Sequence, residues 1–150
     1  MGIMVKFKIR RLTIKDAKIL QKLDQVVYGL EKRPHLIDIN HIRTMLKKKP
    51  DYYIVAFVDN KAVGWIIGNT IERFTGKQML LYEFDVLSDY RDQGIETALI
   101  EYLKNICKKR KYEEMWVLTD NKNLATLKTY TSAGGKRELL DQIMFVFDKF

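Results

Sequence analysis

The stretch from residue 78 to residue 106 leaves this chain few folding options. Residues 78–87 read as one long strand, with Leu80, Tyr82, Phe84 and Val86 on one face and Leu81, Glu83 and Asp85 on the other, as period-2 alternation requires. Directly after it, Ile95, Ala98, Leu99, Tyr102, Leu103 and Ile106 recur at helical spacing, the cleanest amphipathic stripe in the sequence. A strand followed by a buried helix and then by the strand-like Met115-Trp116-Val117-Leu118-Thr119 is a β-α-β crossover, since parallel strands need a connection of a dozen or more residues.

The remaining segments arrange themselves around that unit. Val5 to Arg11 alternate apolar and basic residues, the pattern of a half-buried strand. Thr13 with Asp16 three positions on resembles a capping box, and a helix over about 14–28 follows with Ala17, Leu20, Leu23, Val26 and Val27 on one face. Asp38 is placed to cap a second, short helix that buries Ile39, Ile42, Met45 and Leu46 and stops before Pro50. The run Tyr52 to Val58, the turn Asp59-Asn60-Lys61 and the run Ala62 to Ile67 form a hairpin. A turn at Phe74 to Lys77 leads into the long strand, and a short helix over about 123–132 ends at Gly134-Gly135. The tail from Ile143 to Phe147 is apolar on both faces, which predicts burial inside the sheet or against a second subunit. The predicted order is β-α-α-β-β-β-α-β-α-β-β, an α/β (α+β) fold with a mixed, mostly antiparallel twisted sheet flanked by helices.

Composition bounds the class. With 150 residues, 47% hydrophobic and 31% charged, the chain suits a single domain over 1–150 that holds its core without metal or disulfide. Cys107 is the one cysteine, which fits a reducing, cytoplasmic setting. The first ten residues lack a signal peptide's apolar run, and Lys6 stands where a myristoylation signal has Ser or Thr. His35 and His41 are too few and too isolated to predict a metal site, so none is expected. A net charge of +8 attracts anions, whether nucleic acid, anionic lipid or a phosphorylated small molecule. The densest basic runs, Lys47 to Lys49 and Lys108 to Lys111, each close a predicted helix, where cations complement the helix dipole.

Arg91-Asp92-Gln93-Gly94-Ile95 lies between the long strand and the N-terminus of the stripe helix, where free amides and the dipole favour a phosphate. This strand, R-x-x-G turn and helix together resemble the acetyl-CoA signature R/Q-x-x-G-x-G/A of the GNAT acetyltransferase superfamily. Ile9 to Ala17 is similar to the opening strand and helix of that family, and Asn123 to Tyr130 followed by Gly134 resembles its later N-x-x-A-x-x-x-Y-x-x-x-G helix. The stretches Ile71 to Phe74 and Leu81 to Val86, with Tyr130-Thr131 and the apolar tail, look most like the aminoglycoside 3-N-acetyltransferase branch.

The resemblance implies an acetyl-CoA-dependent N-acetyltransferase acting on a primary amine of a small cationic acceptor, with aminoglycosides the named candidates. Glu83 matches the acidic residue proposed as general base in that branch, and Tyr130 the tyrosine that protonates the departing thiolate. The resemblance assigns acetyl-CoA to Val86, to the loop Arg91, Asp92, Gln93, Gly94, Ile95, Glu96 and Thr97, and to Asn123. Glu72, Asp85 and Asp120 supply acidic lining for a cationic acceptor. A homodimer through the apolar tail is implied as well. Two positions depart from the pattern: Glu96 stands where the signature has Gly or Ala, and Gly135 replaces the aromatic that follows Gly134. A carboxylate at 96 would sit beside the expected pyrophosphate, although an acid in a helix's first turn is also favourable without any ligand. The competing readings are a non-catalytic acyl-CoA or ligand-binding relative, a peptide or polyamine N-acetyltransferase, and a basic nucleic-acid-binding domain, which lacks an aromatic-interleaved basic motif.

Overall fold

The computed structural model of the chain describes residues 4–32, 34–138 and 144–148. Two compact units make it up, Met1–Leu118 and Thr119–Phe150. The first holds β1 (Lys8–Arg11), α1 (Ala17–Lys32), α2 (Ile39–Lys47), β2 (Tyr52–Val58), β3 (Lys61–Glu72), β4 (Lys77–Val86), α3 (Ile95–Lys109) and β5 (Glu114–Trp116). The second holds α4 (Leu124–Ser132). Strands β1 to β4 pair antiparallel in sequence order, and β5 joins β4 in parallel after the α3 crossover. The mixed, mostly antiparallel sheet flanked by helices is the architecture expected.

Each face of the sheet is covered, and the side-chain pattern says by what. Leu23 of α1 and Leu12 pack on Tyr53, Val55, Trp65 and Ile67, with Leu20, Met45 and Leu46 around them. Ile54, Ile66, Val86, Ile95, Leu99 and Leu103 are fully or almost fully buried on the α3 side. Gly64 and Gly68 let α3 approach: a Cβ at 68 would lie 2.7 Å from Met79 Sδ and 2.9 Å from Leu103 Cδ1. This double coverage explains the nearly continuous apolar run of β2, which period-2 patterning alone would not require.

The strict alternation expected along β4 does not hold. Ile67 pairs with Glu83 while Gly68 pairs with Leu81, so Tyr82 is the extra residue of a β-bulge and is 66% exposed. Leu81 therefore joins the α3 face with Phe84 and Val86, whereas Glu83 and Asp85 stay together on the α1 face. The stripe of α3 is rotated slightly from the predicted one, with Ile100 and Cys107 buried and Ala98, Tyr102 and Ile106 half-buried. Burial pushes the Cys107 thiol up to about 11.

The tail departs from expectation. Ile143 lies outside the described residues, and Met144, Phe145, Val146 and Phe147 form no strand and are 72–81% exposed. The two closing strands are thus absent among the described residues; apolar composition marks a surface that wants covering without saying what covers it. Of the described helices, none is long and apolar enough to cross a membrane.

The entry to α1 is held electrostatically. Asp16 accepts both Arg10 Nη1 and Nη2 at 2.9 Å and also the Thr13 amide at 2.8 Å, closing the capping box. The Arg10 guanidinium, aided by Thr13, holds the Asp16 carboxyl at about 2, below its ordinary 3.8. Because the folded value is depressed, the contribution is complete above 3.8 and is lost as pH falls through about 2. Asp16→Asn should lower stability by about 1 kcal/mol at neutral pH. Urea titrations of both proteins should show that gap narrowing as the pH approaches 2.

Candidate active site

The loop after β4 is built to present amides. Asp92 and Gly94 take left-handed backbone, with φ of 58° and 85°, and Gly94 is the N-cap of α3. No atom lies within 4 Å of a Cβ built at Gly94, so it is the dihedral, not space, that favours glycine there. The amides of Ile95, Glu96 and Thr97 have no acceptor inside the helix and sit at the positive end of its dipole. Gln93 stiffens the loop by donating from Nε2 to the Asp89 carbonyl at 2.9 Å.

Arg91 is engaged by the chain itself. Its Nε donates to the Val86 carbonyl at 2.8 Å and its Nη2 to Asp85 Oδ1 at 3.2 Å. Asp85 Oδ1 also accepts the Val86 amide at 2.8 Å, the amide expected to face the cofactor. Glu96, the departure from the signature, folds back so that Oε1 accepts the Asp92 amide at 3.1 Å. Three groups expected to meet acetyl-CoA, namely Val86 N–H, the Asp92 amide and the Arg91 guanidinium, thus have protein partners in this structure.

On the other side of β4, Glu83 reaches a cavity of about 80 Å³ between α1, α2 and the sheet. Leu20, Leu23, Val27, Ile42, Met45, Trp65 and Ile67 make its walls apolar, and Asp24, Tyr28, Tyr53 and Glu83 are the groups that bring polar atoms to it. Tyr28 donates its hydroxyl to Glu83 Oε1. Burial, reinforced by Asp51 and Glu83, pushes the Tyr53 phenol up, so it stays protonated through neutral pH. Helix α1 is interrupted at Gly29, with φ 66° and ψ 170°, directly after Tyr28.

The acids expected to line an acceptor site lie elsewhere. Asp85 faces the same side as Glu83 but is tied to Arg91, and it does not line the cavity. Glu72 pairs with Lys77 at the far end of the β3–β4 hairpin and is exposed. Asp120 belongs to the second unit, where it accepts the Lys122 amide at 2.7 Å. Asp24 and Tyr28 escaped the sequence reading. Their signal was an acid and a phenol four residues apart within the apolar stripe of α1.

In the second unit, Asn123 caps α4 by accepting the Thr126 amide at 3.2 Å. Tyr130 is half-buried near the end of that helix, and burial raises its phenol above the ordinary 10. Gly135 donates its amide to the Tyr130 carbonyl at 2.9 Å, and a Cβ there would also come within 2.9 Å of that oxygen. The backbone turn that follows Tyr130 thus leaves no room for the aromatic found at this position in the resembled pattern. Among the described residues, no group of three or more His, Cys, Asp or Glu could hold a metal.

A strand running into a left-handed glycine cap and a long helix, matched with a carboxylate-bearing cavity on the same strand, defines an acyl-transfer fold. The chain belongs to the GNAT acetyltransferase family, whose model matches residues 18–134, and is thereby an N-acetyltransferase. That family uses acetyl-CoA. Among solved structures it resembles an aminoglycoside acetyltransferase from an uncultured soil metagenomic sample, crystallised with trehalose: 24% identity, TM-score 0.83, covering 95% of this chain and 97% of that one. AAC(6')-Iy in complex with the bisubstrate analogue CoA-S-monomethyl-acetylneamine superposes at a TM-score of 0.79 with 16% identity, covering 96% and 99%. The ribosomal-protein-alanine N-acetyltransferase of Brucella melitensis biovar Abortus 2308 follows at 0.71 with 20% identity, covering 94% and 100%. No curated protein is matched by the sequence.

The Gly29 break sets where Tyr28 sits over Glu83. Gly29→Ala should cost about 1 kcal/mol, the strain of a left-handed non-glycine residue, although its Cβ would touch nothing within 4 Å. Equilibrium urea unfolding of the variant against the parent protein reads this directly.

Proposed function

We propose that this protein transfers the acetyl group of acetyl-CoA to a primary amine of a small cationic acceptor, with Glu83 as general base and Tyr130 as general acid. The observation that carries the reading is the placement of Glu83: the Tyr82 bulge turns it into the cavity, and three residues later β4 ends in the loop that caps α3. The two units then serve as one acetyltransferase domain, a reading supported by a family match that spans both. The resemblance to the 3-N-acetyltransferase branch makes aminoglycosides acceptors to screen, and the lone cysteine suits a cytoplasmic setting.

The chemistry balances as follows. Glu83 takes one proton from the ammonium, and the freed amine attacks the thioester carbonyl carbon to form the C–N bond. The tetrahedral intermediate collapses with cleavage of the C–S bond, and the thiolate takes the Tyr130 proton. The second nitrogen proton restores the phenol, and Glu83 returns its own to solvent. The products are amide, CoA thiol and one released proton. Tyr130 suits its role because its raised pKa keeps it protonated at neutral pH. Amides of residues 93–97, with Val86 and Asn123, are the proposed contacts for the pantetheine and pyrophosphate. Glu96 must swing off the Asp92 amide, or accept a weakened cofactor, for this to occur.

Calorimetric titration with acetyl-CoA should give micromolar binding. Glu83→Gln should then lower kcat by about a hundredfold or more with binding retained, and Tyr130→Phe should lower it similarly. Absence of binding at millimolar acetyl-CoA would favour the non-catalytic relative, with Glu96 in the phosphate position as the reason. Full turnover by a folded Glu83→Gln protein would remove Glu83 from the base role.

We also propose a homodimer, supported by the exposed apolar run Met144 to Phe147, which a second copy would cover. Sedimentation should show a dimer at micromolar concentration; a monomer throughout that range would overturn it.

A further inference from the structure

The cavity beside Glu83 carries information about the acceptor that neither the net charge nor the fold supplies. Its volume, about 80 Å³, has room for on the order of five water-sized groups, which suits a single ring or a short branched chain. Its walls are aliphatic and aromatic, and few polar atoms face it. A sugar ring with a hydroxyl on most carbons would leave several of them without partners there, at about 1–3 kcal/mol each. An apolar body gains instead, at about 25 cal/mol for each Å² removed from water.

The polar groups are grouped by chain geometry. Asp24 lies one helical turn before Tyr28 on α1, and Tyr28 donates to Glu83 on the facing strand. Two carboxylates thus share the cavity with two phenols, and no Lys or Arg lines it, although the chain carries 27 of them. A cation is the complementary guest for such a wall, and Trp65 and Tyr53 add aromatic surface suited to a ring or an ammonium.

We propose that the acceptor is a compact monoamine with an aromatic or branched aliphatic body, seated in the α1–α2 cavity with its ammonium held by Asp24 and presented to Glu83. The inference rests on the acetyltransferase reading for its chemistry, but the binding pocket is a separate claim. Asp24 acts as a substrate-binding residue rather than a base, so its loss should appear in KM and not in kcat.

Phenethylamine is the probe. The chain has two tryptophans, so Trp116→Phe leaves Trp65 as the single reporter on the cavity wall. Phenethylamine should change its emission saturably, and Asp24→Asn should weaken that binding roughly 10- to 100-fold, the loss of a charge-assisted hydrogen bond. Asp24→Glu should restore part of it, and circular dichroism matching the parent keeps the comparison between folded proteins. In thiol-release assays with acetyl-CoA, kcat/KM for phenethylamine should exceed that for sisomicin by about tenfold or more, equivalent to one unpaired hydroxyl. Asp24→Asn should raise KM for phenethylamine with kcat nearly unchanged.

Unchanged Trp65 emission up to millimolar phenethylamine, or a preference for sisomicin, would overturn the inference while leaving the acetyltransferase reading intact. Phenethylamine binding that depends on Asp24, without thiol release from any amine, would sustain the pocket and sink the catalytic reading instead.

Discussion

The pairing of β3 with β4 around the Tyr82 bulge governs most of what this fold presents. Up to Leu81 the strand turns its alternate side chains into the α3 core, where Met79 and Leu81 are buried against the helix that closes the crossover. One unpaired residue later the phase has changed, and Glu83 and Asp85 face the α1 side. A regular strand would place Leu81 and Glu83 on one face, so a carboxylate on the cavity wall would require a leucine on that wall too. The bulge separates the two demands on a single strand: to pack a core and to carry a charge.

Downstream, the same strand end is held to the loop by a closed set of bonds through Asp85, Val86 and Arg91. These bonds fix the start of the loop before Asp92 and Gly94 turn the backbone left-handed into α3. Because the Arg91 ion pair is about half exposed, its energetic weight is small, and its effect is geometric. It orients the backbone whose amides form the helix N-terminus. Glu96 supplies the electrostatic opposite: its carboxylate satisfies a loop amide that a phosphate would otherwise claim.

Much of this was legible in the residues, and the illegible part has identifiable causes. The Asp38 cap, the Asp59-Asn60 hairpin turn with its positive φ values, and the α3 crossover followed from local chemistry and periodicity. The bulge did not, because one extra residue leaves the apolar pattern of Met79 to Val86 plausible in either phase. Asp24 and Tyr28 were hidden by the opposite problem, since a polar pair inside an amphipathic stripe resembles an ordinary edge of the core. Glu72, Asp85 and Asp120 were chosen for charge alone, and their partners in space, Lys77, Arg91 and the Lys122 amide, are invisible to a count of acids. The exposed run at Met144 to Phe147 shows the same limit, because hydropathy says that a surface wants cover and not which surface covers it.

A chain with a net charge of +8 nonetheless carries a cavity suited to a cation, and the reason lies in distance and screening. Lys47 to Lys49 and Lys108 to Lys111 stand at the exposed C-terminal ends of α2 and α3, where solvent and the helix dipoles absorb their field. At physiological ionic strength that field decays over about 8 Å, so exposed lysines contribute little inside an apolar pocket. The groups within reach there are Asp24 and Glu83, and the low polarity of Leu20, Val27 and Ile67 strengthens their pull on an ammonium. The surplus positive charge then serves a different partner, since a polyphosphorylated acyl donor approaches from solvent and responds to the whole surface. Local carboxylates for the amine and a basic exterior for the anion meet the two charge requirements of acetyl transfer in one small chain.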